Sequence, residues 1–154
     1  MNKIFIAIMF LLPLMAQALP TEPVSPIGTI GMGPDAGLIA RIDLEQTDEV
    51  IEALMRVEAY HQQVGFNVDH PPVAFVIFGP PVALFFKDSY RENRQIIDLA
   101  ARLVALEVID VKVCEFSYQA EGLDSNNLLP FVSTVPFGPD EVTRLVQTEK
   151  YNYF

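Results

Sequence analysis

"VAFVIFG", residues 73–79, is apolar at almost every position and mixes β-branched with aromatic side chains. A strand on the surface of a sheet alternates apolar with polar residues. One that is apolar throughout has both faces covered, as in a parallel sheet with helices on either side. Upstream, "TDEVIEALMRVEAYHQQVG" (47–65) carries acids in its first turn and an apolar stripe at Val50, Leu54, Val57, His61 and Val64, the spacing of a helix. Upstream again, "GLIARIDL" (37–44) reads as a strand.

Downstream, "PVALFFKDS" (81–89) reads as a short helical segment or apolar turn. Ser89 and Glu92 form an S-x-x-E capping box that predicts a helix over 90–107. Its expected buried face is Ile96, Ala100 and Leu103 with Leu99 and Leu106, and Arg94, Asp98 and Arg102 make a solvated ladder opposite. "VIDVKVCEF" (108–116) is the next strand, "SNNLLP" (125–130) a short helix and "FVSTVPF" (131–137) a fourth strand. Gly138, Pro139, Asp140 and Glu141 start a helix over "VTRLVQTEK", and "YNYF" (151–154) adds a last strand or enters a subunit contact. Strands alternating with helices predict an α/β domain with an open, mainly parallel, doubly wound sheet of four to five strands. Ligands of such sheets bind beyond the carboxyl ends of the strands.

The opening "MNKIFIAIMFLLPLMAQALP" has a short positive start at Lys3, an apolar run too short to span a bilayer, and an Ala16-Gln17-Ala18 cleavage pattern. It predicts a signal peptide over 1–18, cut after Ala18, and a periplasmic product with no stable membrane insertion. Residues 19–36, rich in Pro and Gly, read as an extended arm, disordered or laid over a neighbouring surface. The domain spans 37–154. A net charge of −10 opposes binding to nucleic acid or an anionic membrane.

The chain has one cysteine, Cys114, at the carboxyl end of its strand, so no intramolecular disulfide is possible. Alternation puts Ile109, Val111 and Val113 on one face and Asp110, Lys112, Cys114 and Phe116 on the other. A free cysteine behaves as an inert small hydrophobe when buried and as a nucleophile when partly exposed beside positive charge. Lys112, one alternate position away, is a weak electrostatic helper for the second role. His61 lies on a core stripe and reads as a half-buried structural histidine, and His70 stands before two prolines in a loop without a partner at metal-ligand spacing. "FGPP" (78–81) has too few N–H donors to cradle phosphate. The sequence carries no Ser-His-Asp order, dinucleotide fingerprint or metal motif, and implies no cofactor.

The stretch "EVIDVKVCEFSYQAEGL" (107–123), with Cys114 at a strand end and Gly122 eight residues on, resembles the DsrE/DsrF-like family of small sulfur-relay proteins. The likeness runs from about Arg41 through a strand ending in Gly79, "GLDSNNLLP", "VSTVPF" and the aromatic tail. It implies a three-layer α/β/α fold, assembly as a homotrimer or hexamer, and a persulfide carried on Cys114 between a sulfur-donor and an acceptor protein. Glu107 stands where many relatives have glycine, Phe78-Gly79 where many have histidine-glycine, and Glu115 places an acid beside the thiol. Two functions follow as expectations. One is an exported sulfur carrier or thiol-redox protein acting through Cys114. The other is a non-catalytic oligomeric binding module with a structural cysteine. A sulfur sealed in the interior favours the second; one opening into a pocket at a subunit boundary favours the first.

Overall fold

The structure is a computed structural model that describes residues 37–40, 42, 46–64 and 71–154. The expected signal peptide, the 19–36 arm, His70, and Arg41, Asp43 and Leu44 of the expected 37–44 strand lie outside the described residues. Five strands form one sheet, all pairs parallel, in the order β4-β3-β2-β1-β5. They are β1 (Leu38–Ile39), β2 (Val73–Ile77), β3 (Ile109–Cys114), β4 (Ser133–Val135) and β5 (Asn152–Tyr153). The helices are α1 (Thr47–Val64), α2 (Arg94–Ala105), α3 (Glu115–Ala120) and α4 (Gly138–Thr143), the last continued by a π-turn over Arg144–Thr148. The three-layer α/β/α architecture stands as expected.

β2 occupies the middle of the sheet and is buried at every residue, which is what its unbroken apolar run requires. Val73, Phe75 and Ile77 join Val111 and Val113 of β3 in the larger core, under Val50, Leu54 and Val57 of α1 and Ile97, Ala100 and Leu103 of α2. Ala74 and Val76 point the other way, into a smaller cluster with Ile39 and Leu145. Steps from β1 to β4 each move to the adjacent strand. The step from β4 to β5 crosses back over three strands, so a right-handed crossover must carry α4 over the opposite face.

Several local expectations change. Ser89 does not cap a long helix: its hydroxyl donates to the Leu84 carbonyl at 2.8 Å, closing a 3-10 turn, and the chain turns once more before α2 starts after Asn93. The 3-10 segments Pro80–Phe85 and Lys87–Ser89 thus take the hydroxyl that a capping box would use. With the helix starting later, its buried stripe centres on Ile97, Ile96 is partly buried, and Leu106 is exposed. Arg94 and Asp98 do pair at 3.5 Å, but Arg102 reaches across to Glu58 on α1. β3 ends at Cys114, so Phe116 lies on α3 and not on the strand face. β4 keeps three of its seven expected residues.

The aromatic tail finds an internal place. Asn152 and Tyr153 pair with Leu38 and Ile39, Phe154 meets Tyr60 edge to face at 5.3 Å, and Tyr151 packs into the smaller cluster directly over Gly37. Of the two expectations for 151–154, the last strand is the one the structure forms. Tyr153 alone of the three aromatics is exposed.

Candidate functional site

β3 and β4 are adjacent and parallel, with Cys114 beside Val135 in register. Beyond their carboxyl ends the chain leaves in opposite directions. From β3 it enters α3, whose Tyr118 packs into the larger core. From β4 it enters α4, which leads to Leu145 in the smaller one. Adjacent strands whose outgoing helices part to opposite faces define the crevice where ligands of open α/β sheets bind. Cys114 stands at that crevice.

The crevice is closed. Cys114 is fully buried, and its Sγ accepts a hydrogen bond from the Gly138 N–H at 3.3 Å. That contact depends on glycine: a Cβ at position 138 would lie 2.6 Å from the Phe78 ring. Phe78 follows β2, so three successive strand ends meet around the sulfur. The Phe116 N–H donates to the Pro136 carbonyl at 3.3 Å, and the Gly79 N–H to Ser117 Oγ at 2.9 Å, which ties the β2, β3 and β4 exits together. Glu115, next to the cysteine, accepts from the Thr134 hydroxyl at 2.7 Å. Above this layer the rings of Phe116 and Phe137 meet edge to face, 5.8 Å between centroids, and both are exposed, at 63% and 42%.

Lys112 shares the cysteine's face of β3, but its charge is engaged elsewhere. Its ammonium lies 2.8 Å from Glu141 Oε1 and 3.5 Å from Asp110. Burial alone would lower its pKa; the hydrogen bond to Glu141 and the charge of Asp110 outweigh that and hold it above its usual value. Glu141 also takes a two-pronged hydrogen bond from Arg144, both contacts 2.7 Å, and Arg144 pairs in turn with Glu149. Held first by Arg144 and then by Lys112, the Glu141 carboxyl is pushed down to about 2. Arg144, held by both carboxylates, is raised. What reaches the sulfur from Lys112 is therefore the field of a neutralised cluster, which is weak.

The two candidate residues read from the sequence thus sit on one face, with the ammonium paired to carboxylates and the thiol to the Gly138 N–H. Sequence reasoning missed Gly138 as the partner of the thiol and Glu141 as the partner of Lys112. Both lie in the "GPDE" helix start, and the clue was the adjacency of two strand ends. His61 is half-buried on α1, away from the crevice. Among the described residues no group of His, Cys, Asp or Glu is placed to hold a metal ion, and no helix is long and apolar enough to cross a membrane.

No family model matches the chain, and no curated protein matches it. Among solved structures it is similar to a protein of unknown function from Methanobacterium thermoautotrophicum, with a TM-score of 0.61 and 21% identity. The match covers 78% of this chain and 98% of that one. At that identity the likeness speaks for the fold: a single-sheet, three-layer α/β/α domain. It assigns no activity.

Proposed function

We propose that this chain is an exported, DsrE/DsrF-like binding module that assembles with itself and does no chemistry, Cys114 being structural. The observation that carries the reading is the sealed sulfur, fully buried and capped by the Gly138 N–H. A buried thiol without access to solvent or substrate is an inert packing group, and here it pins the start of α4 to the end of β3. Assembly as a homotrimer or hexamer, and periplasmic location after removal of residues 1–18, follow from the resemblance and the export pattern.

One feature favours the sulfur-carrier reading: a backbone N–H aimed at Sγ would stabilise a negative charge there. In that reading Cys114 takes sulfane sulfur from a donor protein and hands it to an acceptor after the roof opens. Mass spectrometry after brief iodoacetamide treatment separates the two. The structural reading expects labelling only once the chain is unfolded, and no added sulfur on protein from its native compartment. It also expects Cys114→Ser to destabilise by about 1–3 kcal/mol, because the hydroxyl proton would be buried without an acceptor. Rapid labelling of the folded protein, or persulfide mass on Cys114, would overturn it.

A further inference from the structure

Among the described residues, Phe116 and Phe137 are the pair of exposed large aromatic rings that face each other across the crevice. Its setting is acidic. Between Lys112 and Arg144 the sequence has no Lys, Arg or His, while it has Glu115, Glu121, Asp124, Asp140 and Glu141. Asp140 is exposed, one turn beyond Phe137, and Glu121 is exposed at the end of α3. The two cations that bracket the segment share Glu141. The rings thus lie in a stretch rich in acids, with Glu115 and Asp140 close to them in sequence, and the cations that bracket it, Lys112 and Arg144, are both engaged by carboxylates.

We propose that this edge is a docking surface for a partner polypeptide that presents Arg or Lys next to an apolar side chain. A guanidinium stacks on the face of an aromatic ring and also pairs with carboxylates, and the apolar neighbour covers the ring edges. A second copy of this chain is the poorer occupant: with a net charge of −10 it brings like charge to an acidic patch. The proposal rests on the binding-module reading and names the surface and partner chemistry of that module. The switch-point crevice is filled by the protein itself, so recognition moves to the rings that roof it.

The test uses the full chain with carbon-13-labelled phenylalanine. Three blocked pentapeptides are titrated in at low salt: alternating arginine–leucine, serine–leucine and glutamate–leucine. Expected is a shift of the Phe116 and Phe137 ring signals with the arginine peptide alone. Binding should weaken about tenfold in Phe116→Ser and fall as salt screens the carboxylates. Equal shifts with the serine peptide, or still rings with all three, overturn the proposal. So does a concentration-dependent ring shift in the protein alone that Phe116→Ser abolishes, since a second copy then occupies the surface. Cys114 labelling in the same samples keeps the two readings apart. A reactive thiol with intact peptide binding removes the structural cysteine and leaves the surface, and an inert thiol with still rings does the reverse.

Discussion

The two faces of β3 carry the same strand into different surroundings. Ile109, Val111 and Val113 are sealed beneath α1 and α2 in a wholly apolar core. Asp110, Lys112 and Cys114 alternate with them and meet α4, through the largely buried Lys112–Glu141 ion pair at one end and a buried sulfur at the other. Two full-length helices roof the first face. The second has six residues of α-helix and a π-turn, so only part of it can be made dry. The first face accounts for the fold, and the second holds the ion-pair cluster and the capped sulfur.

The contrast can be broken most directly on the apolar face. Phe75 is fully buried at the centre of the larger core, and Phe75→Ala should destabilise by about 3–5 kcal/mol in urea unfolding. A loss below about 1 kcal/mol would mean that the two faces contribute alike. On the polar face the expected effect is smaller and depends on pH. The Glu141 carboxyl is depressed to about 2 from an ordinary 4.5, so its stabilising contribution is complete above the ordinary value and is lost as pH falls from there toward 2. With Arg144 half exposed, solvent screening leaves that contribution on the order of 2 kcal/mol. Glu141→Gln should lower stability by about that amount at neutral pH and flatten the acid limb of the stability curve. An unchanged acid limb would show that the cluster is decorative.

The smallest effect has the opposite sign. α2 and α3 end in the same way. Past each end, the second residue beyond the cap donates to the third-last helical carbonyl and the first to the second-last: Val108 to Leu103 and Glu107 to Val104, Leu123 to Tyr118 and Gly122 to Gln119. The first of these residues must take a left-handed backbone, with φ 56° at Glu107 and 70° at Gly122. α3 has glycine there, and α2 has an acid with a Cβ. Glu107→Gly should therefore stabilise by about 0.5–1 kcal/mol, read as a rise in the thermal midpoint. A drop would mean that the flexibility added to the unfolded chain outweighs the strain relieved.

These particulars show how far the sequence could be read. The run 73–79 and the 47–64 stripe were legible because period and burial agree along a single element. Ser89 and Glu92 misled because a short polar motif has competing uses, and the Leu84 carbonyl was closer. Continuing the strand to Phe116 was a similar error: nothing in "VCEF" marks the change from strand to helix. The burial of Cys114 was not legible at all. It depends on α4 crossing back from β4 to β5, and that roof is set by strand order, which no local pattern encodes.

Strand order has a further consequence during synthesis. β1 is two residues long and sits between β2 and β5, so one flank of an early strand is completed by a very late one. While residues 40–151 are being made, β1 has at most one neighbour, and Gly37 waits for the Tyr151 ring that will cover it. Pairing across so long a separation is slow to form and easily left undone. The nascent chain therefore leaves the outer side of β1 unpaired until residue 153 has emerged, and for that interval it depends on whatever shields that side from other strands.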